Sequence, residues 1–176
     1  QNNLNFIKEY TAYCNFNSNL LLNGYPPFYK NLQEDLLNNK KINIKSHFRP
    51  YGKKGSSVRP VCIEKELNSF ASNKKTGSTI YQTQIECCKL QNNIYKCKCK
   101  ITKGFRHQVR CHLAWAGFPV INDPLYNCNP INMRDDTFEK LLCILDQNKL
   151  SQNESFDKKK SSCMRFYATG LEFNNP

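Results

Sequence analysis

The stretch Ile94-IYKCKCKITKGFRHQVRCHLAWAG-Gly117 changes its periodicity in the middle, and that change decides the fold class. From Ile94 to Ile101 apolar and charged residues alternate, as they do along a strand with one buried face. Gly104 then interrupts the pattern. Beyond it Val109, Leu113 and Ala116 recur at helical spacing, and Gly117 is the residue type best suited to end a helix. A strand therefore feeds a short helix.

Upstream, Thr79 to Cys88 reads as the partner strand of a hairpin, turned through Gln91, Asn92 and Asn93. Phe6 to Phe16 reads as a further strand, followed by the irregular apolar run LLLNGYPPFYK and a short helix over Asn31 to Asn38. The segment HFRPYGKKGSSVRPV spaces its cations among prolines and glycines and reads as a basic loop. Downstream, Phe138, Leu141, Leu142 and Leu145 give an amphipathic helix over Thr137 to Leu145. Residues 148–162 read as a polar mobile linker, and Met164 to Phe173 as a closing strand. The tally predicts one α+β domain with a mostly antiparallel mixed sheet flanked by a few helices.

The chain has 176 residues, enough for one core, and a mean hydropathy of -0.67 that owes much to Asn and Lys. Its net charge of +12 attracts polyanions, of which nucleic acid is the natural one; a Lys-rich face that merely aids solubility is the other reading. The ten cysteines include no CxxC pair and mostly occupy apolar patterns, which points to buried reduced thiols rather than to disulfides or a metal site. No apolar run approaches the roughly 18 residues of a membrane span, so a soluble, cytoplasmic monomer with no membrane partner is expected. Gln1 opens the chain in mid-strand, as if an upstream segment had been removed.

Arg106 and Arg110 lie one helical turn apart near a predicted helix N-terminus, an arrangement that costs roughly 0.2–0.5 kcal/mol and opposes the helix dipole. Lys103 adds charge, and His107 and Gln108 add hydrogen-bonding groups that reach a phosphate, a base edge or a carboxylate. The cluster is a candidate RNA or anion contact. The alternative is that the two arginines face solvent or pair with an acid such as Asp123.

The run GFRHQVRCHLAWAGFPVINDPLYN, from Gly104 to Asn127, resembles the C-terminal motif of the RluA-type RNA pseudouridine synthases. Gly104, His107, Gln108, Arg110, His112, Leu113, Gly117, Pro119, Asp123, Leu125 and Tyr126 match, with Val109 and Val120 conservative. KEYTAYC resembles the family's Lys-x-Tyr strand, and FYATGLEFNNP its closing strand. The resemblance implies an enzyme that flips a uridine out of ribosomal or transfer RNA and rebuilds its glycosidic bond at carbon, with no metal or cofactor. It implies that Tyr10 stacks on the base, that Leu113 packs beneath the site, and that Arg110 pairs with a nucleophilic aspartate. Independently of the resemblance, the positive charge makes Arg49, Lys53, Lys54, Arg59, Lys103 and Arg106 the candidate phosphate contacts, with His107 and Gln108 as further candidate RNA contacts.

That aspartate belongs to a His-Arg-Leu-Asp motif which these residues lack, and Asp35, Asp123 and Asp146 stand in the wrong surroundings for it. Residues 1–176 are therefore expected to be a partial catalytic domain, inactive alone. A non-catalytic RNA-binding module or a disrupted relic is the competing expectation.

Overall fold

The computed structural model describes residues 5–18, 25–63, 78–91, 93–127 and 166–174. Its elements are β1 (Asn5–Asn15), α1 (Lys30–Leu37), β2 (Ile42–Tyr51), a 3-10 turn (Lys53–Gly55), β3 (Ser57–Val61), β4 (Tyr81–Gln91), β5 (Ile94–Ile101), α2 (Gln108–Trp115) and β6 (Phe166–Asn174). The six strands form one sheet in the order β3-β2-β4-β5-β1-β6. Every neighbouring pair in it is antiparallel, where a mostly antiparallel mixed sheet was expected. The expected helix over Thr137 to Leu145 and the linker at 148–162 lie outside the described residues.

One expectation is corrected. The segment read as a basic loop is a β-hairpin in which Arg49 faces Arg59 and Pro50 faces Val58 across β2 and β3. β3 is an edge strand, where Pro60 removes no ladder bond that the sheet requires, so proline does not forbid a strand there. Gly52 (φ 78°) and Gly55 (φ 67°) take the left-handed conformations that close the turn.

One sheet face carries the core. Ala12 and Cys14 of β1, Ile44 of β2, Ile85 and Cys87 of β4, and Cys97 and Cys99 of β5 are buried with Leu36 of α1 and Val109, Leu113 and Trp115 of α2. Cys87 and Cys97 sit directly opposite, with their sulfurs 2.8 Å apart. Burial pushes the thiols of Cys14, Cys87, Cys97 and Cys99 upward, so they pack as small hydrophobes.

The end of α2 ties the helix to β1. The Gly117 N–H donates to Ala114 O (3.1 Å) and the Phe118 N–H to Leu113 O (2.9 Å), the two bonds of a Schellman cap, with Gly117 at φ 86°. The chain leaving that cap bonds back to β1 through Asn17 N to Gly117 O, Asn15 N to Pro119 O and Ile121 N to Tyr13 O. The segments that follow Tyr10 and Arg110 are thereby joined.

Candidate active site

A pocket of about 250 Å³ opens where β1, β5, β6 and the start of α2 converge, lined by Tyr10, Ile101, Phe105, His107, Gln108, Val109, Arg110 and Phe166. Tyr10 comes from β1, and opposite it β6 carries a bulge, the partner passing from Gly170 at Glu9 to Ala168 at Tyr10. Its ring stacks on Phe166 of β6 at 5.2 Å and 13°.

Arg110 comes from the first turn of α2. Its Nε donates to Asp123 Oδ2 (2.8 Å) and its Nη2 to Asp123 Oδ1 (2.6 Å), a side-on fork. The Asp123 side chain is fully buried, and its Oδ1 also accepts the backbone N–H groups of Leu125 (2.9 Å) and Tyr126 (3.2 Å). Asp123 is thus a saturated anchor in the Asp-Pro-Leu-Tyr turn. The Arg110 guanidinium lies 5.2 Å from the Tyr126 ring centre, and although burial pulls its pKa down, the Asp123 hydrogen bonds and charge raise it on balance. The pairing of Arg110 with Asp123, one of the alternatives raised by the sequence, is present in the fold.

The helical pairing of Arg106 with Arg110 is corrected as well. His107 takes a left-handed conformation (φ 55°), so α2 starts at Gln108 and Arg106 belongs to the preceding turn. There its Nη2 donates to Gly55 O (2.8 Å) and Ser56 O (2.6 Å) at the tip of the β2–β3 hairpin. The two arginines therefore find separate protein acceptors.

The other expected contacts divide by exposure. Lys53, Lys54 and Lys103 are exposed, with Lys103 Nζ 5.8 Å from the Tyr81 ring centre. Arg49, named among the candidate RNA contacts, is only 5% exposed, and Arg59 lies 3.8 Å over the Tyr51 ring. Gln108 is spent on the scaffold: it accepts from Phe105 N (2.9 Å) and donates to Gln82 O (2.9 Å) and Thr83 Oγ1 (3.1 Å). His107 Nδ1 bonds the Tyr126 hydroxyl (3.2 Å), and burial, then Arg110 and Arg106, lower its pKa. Leu113 is wholly buried in the core under the helix.

Four residues that shape the site carried no site role in the sequence reading. Phe105 and Phe166 wall the pocket, and Phe105 stacks on Phe48 at 5.1 Å. Tyr126 accepts the Val58 N–H (2.9 Å) and ties the hairpin to the Asp123 turn; burial pushes its hydroxyl up to about 12. His112 is fully buried between Ser46 Oγ (Nε2, 2.9 Å) and Thr83 Oγ1 (Nδ1, 2.8 Å), and burial pushes it down to about 3. His112 and Tyr126 stand in the quoted motif; the aromatic walls have no local signal.

No family model and no curated protein matches the chain. Among solved structures it is similar to human RNA pseudouridylate synthase domain containing 1, with 16% identity and a TM-score of 0.45 over 95% of this chain and 49% of that one. It is also similar to human RNA pseudouridylate synthase domain containing 4, with 13% identity and a TM-score of 0.45 over 94% of this chain and 52% of that one. The chain spans about half the length of these structures.

Proposed function

We propose that the chain is the C-terminal part of the catalytic domain of an RluA-type RNA pseudouridine synthase, acting on uridine in ribosomal or transfer RNA. The observation that carries the reading is that Tyr10 and Arg110, far apart in sequence, line one pocket of about 250 Å³. In the reaction the bond from N1 to C1′ breaks, a bond from C5 to C1′ forms, C5 loses a proton and N1 gains one. Tyr10, steadied by Phe166, offers a ring against which a flipped pyrimidine stacks and lies near the C5 proton. Ile101, Val109 and Phe105 supply the apolar wall. Arg110, held by Asp123 through Nε and Nη2, keeps its Nη1 edge for a second carboxylate, the nucleophile brought by an upstream segment.

In this reading the enzyme works in the cytoplasm as a monomer, without metal or cofactor, and the excess of 26 Lys and Arg over 14 Asp and Glu draws it to RNA. The test is nucleoside analysis of RNA incubated with the 176-residue chain and with a version extended upstream through a His-Arg-Leu-Asp segment. The extended form should make pseudouridine and lose that activity on Arg110→Ala, while the short chain makes none. Conversion by the short chain alone would refute the assignment.

A second reading, a non-catalytic RNA-binding module, is favoured by two observations: among the described residues no carboxylate lines the pocket, and the Arg110 charge is already answered by Asp123. RNA binding by an upstream-extended chain that stays inactive would select it.

A further inference from the structure

The β2–β3 hairpin carries Lys45, Arg49, Lys53, Lys54 and Arg59 between Ile42 and Val61, with no Asp or Glu among them. β2 pairs with β4 only as far as Ser46, and beyond it so concentrated a charge would repel itself unless something fixed the hairpin. Two attachments do. Near the start of β3, the Val58 N–H donates to the Tyr126 hydroxyl (2.9 Å) and the Val58 carbonyl accepts from the Tyr25 hydroxyl (2.6 Å). At the tip, Arg106 Nη2 donates to both Gly55 O and Ser56 O. Phe48 of β2 stacks on Phe105 at 5.1 Å and 5°, and Phe105 lines the pocket, so the hairpin stands against the pocket wall.

We infer that the hairpin is a preset basic finger that grips the phosphates beside the nucleotide in the pocket, and that Arg106 is its positioning residue rather than a phosphate contact. The inference rests on the RNA reading above. Lys53 and Lys54 are the exposed cations of the tip, and Lys54 is held in a left-handed conformation (φ 54°) between Gly52 and Gly55. Gly55 O and Ser56 O are turn carbonyls, and one guanidinium nitrogen shared between them ties the tip to the segment before α2 ahead of RNA binding. Fixing it in advance removes the ordering cost that a free arm would meet on binding.

The experiment measures the affinity of the full 176-residue chain for a uridine-bearing RNA hairpin against salt, together with trypsin cleavage at Lys53 and Lys54. Lys53→Ala with Lys54→Ala should flatten the salt slope by about 1.4, two single-strand phosphate contacts. Arg106→Ala should weaken binding about tenfold through lost preorganisation. Added to the double lysine variant, it should cost no more than about twofold further, because the finger it positions is already blunted. Trypsin should cut the tip about tenfold faster in Arg106→Ala, below the melting temperature of both proteins.

Independent phosphate contacts would instead give additive losses, and a tip cut at the wild-type rate would show that Arg106 fastens nothing. Either result, with wild-type RNA binding intact, overturns this inference alone. Wild-type binding that is absent or insensitive to salt overturns the function reading and this inference together.

Discussion

His112 makes the stability of the fold depend on pH in a window where few other groups titrate. The ring is fully buried, bonded to Ser46 Oγ and Thr83 Oγ1, and its pKa of about 3 lies far below the value near 6.5 expected of the unfolded chain. Because the folded value is the lower one, the unfolded state takes up the proton first. Stability is therefore full above pH 6.5 and falls as pH drops toward 3. Between pH 7 and 5 the loss is about 2 kcal/mol, and it depends almost wholly on the unfolded value, since 3 is well below 5.

For a chain of this size that is roughly 4–8 °C of melting temperature. The chain has three histidines; His107, also lowered by burial, adds a smaller loss of the same sign. Thermal melts from pH 7 to 5 on wild type and His112→Gln check the reasoning, with the pH slope rather than the absolute stability as the readout. A His112→Gln variant that is as steep as wild type would refute it.

Asp123→Ala should destabilise the fold by about 3 kcal/mol, because it leaves the mostly buried Arg110 charge unanswered and frees two turn N–H groups; denaturant titration reads this directly. Gly117→Ala should cost about 1–3 kcal/mol, since a Cβ there meets Gln33 Nε2 at 2.7 Å and Asn17 O at 3.1 Å in a left-handed conformation. Native alkylation followed by peptide mapping should label Cys88 before Cys14, Cys87, Cys97, Cys99 or Cys111, because Cys88 is exposed while burial raises the other five thiols.

The central strands and both described helices were legible because their signals are local. Alternation in IYKCKCKI places Cys97 and Cys99 on one face and the lysines on the other, and the structure keeps that parity. The β2–β3 hairpin was not legible, because whether Pro60 breaks a strand depends on its edge position, which is a property of the whole sheet. The start of α2 shifted because His107 adopts a left-handed turn that no spacing rule announces. At the candidate site, Tyr10 entered through a resemblance and Arg110 through its place near Arg106 as well, and the fold puts both on the wall of one pocket. Phe166 reaches Tyr10 only through pairing of β6 with β1, and Asp123 reaches Arg110 only because the chain doubles back at Gly117.

The Asp123 fork also sets the electrostatics that any second carboxylate would meet. A free guanidinium would hold such a group strongly ionised, but Arg110 already shares its charge with Asp123, so the pair presents little net charge to the pocket. An incoming nucleophile then gains one arginine edge while facing one buried like charge. In an active, upstream-extended enzyme, Asp123→Asn should therefore lower the pKa of the nucleophile and move the acid limb of the pH–rate profile down, on the order of one pH unit. Asn keeps an oxygen for the Leu125 and Tyr126 N–H groups, so the turn that carries the fork survives the change. An acid limb that stays in place while stability falls would mean that Asp123 serves the fold and has no part in tuning Arg110.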